Sequence, residues 1–149
     1  MSMKRIKNLL FLITAFGSLA LAFSGCHKEK ITQWKCVLEE DQEVVLTIDE
    51  TTDFVSTKTT PYPLSSTDSF ANSLFSNGKV WKIRGKKILL YDVNRQIVYS
   101  AVDAGFWIDI VSKTESTMDL EVHQITWTAP YTLGWKTKNY KFDKVFQGH

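Results

Sequence analysis

The feature that most constrains the fold is a series of short β-type segments that recurs about every ten residues along the chain. Nine segments are rich in β-branched or aromatic side chains, and turn-forming pairs such as Asn77-Gly78 and Arg84-Gly85 separate them. The segments are 31–38, 43–48, 53–58, 79–83, 86–91, 96–101, 105–112, 117–127 and 136–146. Because no convincing helix stands between them, the spacing predicts an all-β fold, an antiparallel up-and-down meander that closes into a barrel or folds as a sandwich.

Alternation of apolar residues favours the closed barrel. In the eighth segment the apolar positions switch parity, which predicts a β-bulge near His123 and Gln124. In the last segment Tyr140, Phe142 and Phe146 are expected to share one face. A last strand with such a face fits a sheet that closes on itself and so leaves no open edge.

Residues 59–76 are the least regular part of the chain. Pro61 and Pro63 each lack a backbone N–H, so this stretch cannot be a central strand. We expect a long loop that contains one helical turn at 69–76 and covers the barrel mouth, as a functional lid or as a packed Ω-loop. The side chains expected to pack inward are Phe70, Leu74 and Phe75.

The first 25 residues have the pattern of a secretory signal peptide. Basic residues at positions 4, 5 and 7 precede an uncharged apolar stretch, and small residues follow just before Cys26. This order predicts an export signal rather than a membrane-spanning helix. The run Ser24-Gly25-Cys26 resembles the lipobox of bacterial lipoproteins, which implies cleavage before Cys26 and a diacylglycerol on its thiol. The alternatives are a buried core helix and an ordinary signal peptide cut near Ala22 or Gly25.

The predicted organisation is a signal peptide at 1–25, a short tether at 26–30 and one domain at 31–149. The 124 residues that follow the signal suffice for one domain and are too few for two. Since the extended tether spans no more than about 20 Å, we expect the domain to sit against its membrane. By the sorting habit of lipoproteins in enteric bacteria, His27 rather than Asp after Cys26 would permit delivery to the outer membrane of the cell envelope, which is the expected location, with the periplasmic or surface face left open.

The charge balance argues against nucleic acid as a partner. The chain carries 18 Lys and Arg against 16 Asp and Glu, but three of the basic residues lie in the predicted signal. The 15 basic and 16 acidic residues that remain give a net charge of −1, whereas phosphate binding needs a clear basic excess. Acidic residues concentrate at 39–53 and basic ones at 79–87, as expected for solvated surface or, on the basic turn, for a carboxylate- or phosphate-binding patch.

Cys36 is the only cysteine besides Cys26, so it has no partner within the chain if Cys26 carries lipid. Period-two spacing places it on one strand face with Trp34 and Leu38. This predicts a buried thiol. If Cys26 is not lipidated, a disulfide between Cys26 and Cys36 is the alternative.

Several short motifs resemble the lipocalin-like lipoproteins common in Bacteroidetes. The first strand carries Trp34-Lys35-Cys36, and later come the runs from Asn77 to Ile83 and from Gly85 to Leu90. The closing strands carry Thr117-Met118-Asp119-Leu120 and Tyr140-Lys141-Phe142. The resemblance covers most of residues 31–146. It implies a small lipocalin-like barrel behind a lipid anchor, and it implies architecture rather than activity.

The usual signatures of enzymes and metal sites are missing from the sequence. The three histidines stand far apart, and neither His nor Cys recurs at metal-ligand spacing, so we expect no zinc site and no cofactor. His123 is interpreted as a surface or bulge histidine. Asp109 and Asp119 are expected to face each other across neighbouring strands, which is a weak basis for a general acid. No nucleophile elbow or phosphate loop is present, so the sequence predicts a protein that is not an enzyme.

Aromatic side chains are the positive signal for binding. Small closed barrels can hold one apolar ligand, and the candidates to line such a site are Trp81, Tyr99, Trp107 and Trp127. The leading hypothesis is a membrane-anchored barrel that binds or carries a small apolar or amphipathic molecule. The alternative is a filled barrel that docks on an envelope protein or glycan through the aromatic and basic rim at residues 81–87.

Overall fold

Antiparallel strands dominate the chain in a computed structural model, which describes residues 30–75 and 79–148. The elements in chain order are β1 (Ile31–Glu39), β2 (Gln42–Asp49), β3 (Phe54–Thr60), α1 (Ser69–Phe75), β4 (Val80–Arg84), β5 (Lys87–Asp92), β6 (Ile97–Val98), α2 (Ala101–Ala104), β7 (Phe106–Lys113), β8 (Thr117–Thr128) and β9 (Thr132–Gly148). The predicted signal peptide and Cys26 lie outside the described residues.

Eight of these strands form one closed barrel. Each pairs with its sequence neighbour, β5 pairs with β7, and β9 returns to pair with β1. The short β6 is attached only to the end of β5. The predicted up-and-down meander closed into a small barrel is therefore confirmed, and its form is compatible with a lipocalin-like ligand-binding fold.

The prediction of a sixth strand at 96–101 is mostly wrong. Only Ile97 and Val98 pair with β5, and the helical turn α2 follows directly. The Ser100 side chain accepts a hydrogen bond from the Asp103 amide, as an N-cap does, and Gly105 ends the turn with φ 76°. These local capping interactions stabilise a helical turn where the sequence predicted the end of a strand.

The predicted bulge near His123 is also wrong. β8 pairs with β9 without a shift from Thr117 opposite Asp143 to Thr128 opposite Thr132. The outer face of the hairpin changes from polar to apolar instead. A register shift does occur where β9 meets β1, between Gln33 and Trp34. Because that shift changes the parity of β9, Phe146 lies on the outside, 50% exposed, and does not share the inward face of Tyr140 and Phe142.

Side chains fill the barrel interior. Every barrel strand contributes apolar residues to one buried cluster: Trp34, Cys36, Val44, Leu46, Ile48, Val55, Trp81, Ile88, Ile108, Met118, Leu120, Val122, Tyr140 and Phe142. Helix α1 adds Ala71, Leu74 and Phe75 to that cluster, and Phe75 meets the rings of Tyr140 and Phe142 edge-on at 5.5 and 6.2 Å. The expected inward packing of Leu74 and Phe75 is confirmed, and Phe70 is half-buried.

The loop that carries α1 is held firmly to the barrel. The Glu39 carboxylate accepts hydrogen bonds from the Thr67 amide at 2.6 Å and from the Ser66 hydroxyl at 3.1 Å. The Asp68 carboxylate accepts from the Tyr140 hydroxyl at 2.9 Å and forms an ion pair with Lys138 at 2.6 Å. These hydrogen bonds and this ion pair fasten the loop to the barrel, so it is a packed Ω-loop rather than an open lid.

The two ends of the barrel differ. The start of β1 lies with the end of β2 and the end of β9, since Ile31 pairs with both Asp49 and Gly148. The antiparallel meander carries the loop of α1 and the turn between β8 and β9 to the opposite end. Any anchor that precedes β1 is therefore attached at the end of the barrel remote from these two features.

Candidate functional site on the outer face of the barrel

The hairpin of β8 and β9 extends beyond the barrel wall. The pairing of β7 with β8 stops at Phe106 opposite Gln124, and β9 pairs with β1 only from Asp143 onward. The residues nearest the hairpin turn therefore pair only with each other. Such a two-stranded extension buries one face at most, so its other face is open to contact.

That open face is strongly apolar and is called here the aromatic surface; its members are Trp107, Ile125, Trp127, Leu133, Trp135 and the turn residue Tyr131. Register places Ile125 opposite Trp135 and Trp127 opposite Leu133. Trp127 is 70% exposed, Trp135 55% and Tyr131 93%. Large aromatic groups left in water are costly by roughly 25 cal/mol per Å² of apolar surface. A contiguous apolar surface of this kind marks an interaction site.

A polar group adjoins the aromatic surface and is called here the carboxylate–histidine cluster, made of Asp109, Glu121 and His123. Asp109 on β7 pairs with Glu121 on β8, and His123 is two residues further along β8. The Nε2 atom of His123 lies 3.0 Å from Asp109 Oδ2 and 3.1 Å from Glu121 Oε1. One donor atom from each of the three residues lies within 4.8 Å of the other two.

Neighbouring side chains hold the cluster in place. Lys87 forms an ion pair with Asp109 Oδ1 at 2.6 Å, and the Trp107 indole N–H donates to Asp109 Oδ2 at 3.0 Å. Partial burial of the Asp109 carboxyl opposes ionisation, but these two hydrogen bonds, with the charge of Lys87, keep its pKa below the ordinary value. The Thr137 hydroxyl lies 3.3 Å from His123 Nδ1. Asp109 therefore stays ionised in neutral solution.

The structure separates the four predicted ligand-binding aromatics. Trp81 is 1% exposed and packs on Phe106 in the core, so the predicted rim at 81–87 has no exposed tryptophan. Tyr99 is half-buried and donates its hydroxyl to Asp92 at 3.1 Å. Only Trp107 and Trp127 lie on the aromatic surface. They face outward, not into a barrel cavity.

The predicted pair of Asp109 and Asp119 is wrong. Asp109 faces Glu121, and Asp119 faces Ser112, whose hydroxyl donates to it at 2.5 Å. A register shift between Ile110 and Ser112 contributes to this offset. Sequence analysis therefore missed the carboxylate–histidine cluster, because its members become neighbours through cross-strand register rather than through sequence spacing.

The interior offers little room for a ligand. A cavity of about 10 Å³ lies between α1 and the barrel wall, lined by Phe70, Ser73, Leu74, Phe106, Val122 and Gln124. That volume suits about one water molecule. A ligand inside the barrel would have to displace Leu74 and Phe75 of α1.

The chain matches no protein-family model, no curated protein and no solved structure. Within residues 30–75 and 79–148, neither helix is long and apolar enough to cross a membrane.

Proposed function

We propose that the protein is a non-enzymatic, lipid-anchored lipoprotein of the bacterial outer membrane that binds another envelope protein through its aromatic surface. The observation that carries the proposal is an exposed group of aromatic side chains on a hairpin that extends beyond a filled barrel. The motifs that resemble lipocalin-like lipoproteins, together with the closed barrel of eight strands, support the assignment of architecture.

The filled interior favours this function over that of a carrier. Lipocalin-like carriers hold a ligand inside the barrel, but here Trp81, Phe75 and Phe142 occupy that space with at most 1% of their surface exposed. A small apolar or amphipathic molecule inside the barrel would have to displace these side chains, and the free energy of displacing them would be subtracted from its binding free energy. Carriage inside the barrel is therefore the less favourable use of this fold.

An anchor on the segment before β1 would be attached at the end of the barrel opposite the aromatic surface. A lipid on Cys26 would hold the start of β1 within about 20 Å of the bilayer. Thr117 lies level with Lys35 in the middle of β1, because both residues pair with Asp143. From there strand β8 runs away from the start of β1, over roughly 30 Å to Trp127 at about 3.3 Å per residue. The aromatic surface would then face away from its own membrane, toward a partner in the adjacent aqueous space.

The composition of the surface suits a protein partner. Tryptophan and tyrosine supply much of the binding energy at protein interfaces, and polar residues commonly surround them. Here Lys87 lies over the ring of Trp107 and the Asp109 carboxylate accepts from its indole N–H, so charged groups adjoin the aromatic residues. A flat, open aromatic face with a charged rim fits a protein surface better than it fits a small ligand that needs enclosure.

Site-specific photo-crosslinking in intact cells tests the proposal. Tyr131 is replaced with a benzophenone-bearing phenylalanine in the full-length lipoprotein, and crosslinked products are identified by mass spectrometry. We expect one envelope protein to be captured, and we expect capture to fail when Trp127→Ala and Leu133→Ala are added. Val111→Ala, at another exposed position on the outer face, serves as the matched control and should leave capture unchanged.

Three outcomes would contradict the proposal. Capture that persists in the Trp127→Ala, Leu133→Ala variant would show that the aromatic surface is not the contact. Recovery of glycan alone would assign the surface to carbohydrate. Saturable uptake of a fluorescent amphiphile that is unaffected by Trp127→Ala but lost on Leu74→Trp would return the function to the barrel interior.

A further inference from the structure

We propose that the carboxylate–histidine cluster binds a divalent zinc ion through His123 Nε2, Asp109 Oδ2 and Glu121 Oε1. The three donor atoms come from adjacent antiparallel strands, so the backbone of the barrel wall fixes their spacing. The inference is independent of any partner at the aromatic surface.

The spacing of the donor atoms suits zinc. Zinc binds histidine nitrogen and carboxylate oxygen at about 2.0–2.2 Å, and a tetrahedral site then separates its ligand atoms by roughly 3.3 Å. Nε2 of His123 lies 3.0 Å from one carboxylate oxygen and 3.1 Å from the other. Both nitrogen–oxygen separations are therefore within a few tenths of an ångström of the separation expected around zinc, and water would take the fourth position.

The state of the histidine nitrogen points to a ligand. Nε2 of His123 is buried from solvent and makes no hydrogen bond with any described residue, although two carboxylate oxygens lie within 3.1 Å. A buried, unsatisfied nitrogen is costly by about 1–3 kcal/mol. A metal ion on its lone pair would satisfy it.

The surrounding contacts are those that orient metal ligands. A histidine that binds metal through Nε2 carries its proton on Nδ1 and donates it to a nearby acceptor, and the Thr137 hydroxyl lies 3.3 Å from Nδ1. Asp109 is oriented by Lys87 on Oδ1 and by the Trp107 indole on Oδ2. Outer contacts of this kind fix the ligand positions before an ion arrives.

The mixture of donor types selects among ions. Magnesium and calcium prefer oxygen ligands alone and higher coordination numbers, whereas one imidazole with two carboxylates is a ligand set that zinc accepts. The two carboxylates contribute two negative charges, and Lys87 offsets part of that charge at Asp109. We therefore expect zinc to bind and magnesium and calcium to bind far more weakly.

Calorimetric titration of the purified full-length protein, after treatment with a chelator, tests the site. We expect one zinc ion per chain, quenching or shift of Trp107 emission, and visible absorption typical of tetrahedral cobalt when Co²⁺ replaces zinc. His123→Ala, Asp109→Asn and Glu121→Gln should each weaken zinc binding roughly a hundredfold or more, because even an outer-shell partner contributes 10–100-fold. Thr137→Val should weaken it about tenfold for the same reason.

Matched controls separate this site from other ligands in the chain. Glu115→Gln removes an exposed carboxylate elsewhere, and the double variant His27→Ala, His149→Ala removes the other two histidines. Both should bind zinc as the unmodified chain does, and far-UV circular dichroism confirms that each variant is folded. Absence of zinc binding by the unmodified chain, or binding unchanged by His123→Ala, would overturn the proposal.

Discussion

The indole of Trp107 lies flat on the imidazole of His123, with ring centroids 4.5 Å apart and 9° between the planes. The same indole meets Trp135 edge-on at 5.3 Å and donates its N–H to Asp109. Trp107 therefore joins the aromatic surface to the carboxylate–histidine cluster. Its backbone position opposite His123 in the β7–β8 pair makes this contact a property of the barrel wall.

Replacing Trp107 with phenylalanine should separate its stacking on His123 from its hydrogen bond to Asp109. Trp107→Phe keeps an aromatic ring over His123 but removes the N–H that binds the Asp109 carboxylate. We expect the free energy of unfolding to fall by about 1 kcal/mol, since the lost bond involves a charged but partly solvated acceptor. Urea denaturation measures the change. The loss caused by Trp107→Phe should be the same when His123→Ala is also present, because the bond joins Trp107 to Asp109. A value equal to that of Trp135→Phe, which removes an exposed indole N–H, would contradict this role.

Period-two patterning predicted most of the fold because it reflects burial along single strands. The segments at 31–38 and 117–127 correspond closely to β1 and β8, and the buried thiol of Cys36 is confirmed. The pattern failed for Phe146, because a register shift between paired strands changes which face a residue occupies. Local sequence does not encode such shifts.

The candidate site was harder to predict for a related reason. Whether a tryptophan lies in the core or in water depends on where its strand leaves the barrel wall, so Trp81 and Trp127 look alike in sequence and differ in the structure. Likewise, Asp109 meets Glu121 rather than Asp119 only because of the pairing between β7 and β8. These are non-local properties of the sheet.

Asp68 should make the barrel sensitive to acid. Partial burial raises the pKa of its carboxyl, but hydrogen bonds from Lys138, the Ala71 amide and Tyr140 outweigh this and hold the pKa below the ordinary value. A lowered pKa in the folded state contributes stability above the unfolded value of about 3.9, and that contribution is lost as pH falls through the folded value. We expect Asp68→Asn to flatten the decline in unfolding free energy below about pH 4.

The same substitution should lower stability at neutral pH by about 1–3 kcal/mol, because it removes a charged acceptor that several donors share. Thermal denaturation over a range of pH measures both effects. Asp41→Asn, at an exposed turn position, is the control and should leave the pH profile unchanged. Equal profiles for the two variants would exclude a stabilising role for Asp68.

The two phenylalanines of β9 should differ sharply in their contribution to stability. Phe142 is fully buried and packs on Phe75, whereas Phe146 is half exposed. Phe142→Ala should lower the free energy of unfolding by about 3–5 kcal/mol through lost burial and a cavity. Phe146→Ala should cost less than about 1 kcal/mol. Chemical denaturation measures both variants. Similar losses of unfolding free energy would mean that Phe146 faces the barrel interior as Phe142 does.

Trp127 and Trp135 should contribute differently to stability although both are exposed. Trp127→Ala removes a side chain in water, and we expect a change within about 0.5 kcal/mol. Trp135→Ala also removes the edge-on contact with Trp107, which adds a cost of about 0.5–1.5 kcal/mol. Chemical denaturation distinguishes the two variants. A large loss from Trp127→Ala would indicate that the hairpin stabilises the fold rather than serving as a binding surface.

The Cys36 thiol should be almost unreactive while the barrel is folded. Burial raises its pKa to about 11, and the negative charges of Asp143 and Asp68 act in the same direction. Because the thiolate is the reactive form, we expect alkylation by iodoacetamide near neutral pH to be more than about a hundredfold slower than for an ordinary thiol. Mass spectrometry of the peptide that contains Cys36 follows the reaction in buffer and in urea. Rapid labelling in buffer at the rate seen in urea would show that this part of the barrel opens readily, which the packing of Trp34 and Phe142 in the core argues against.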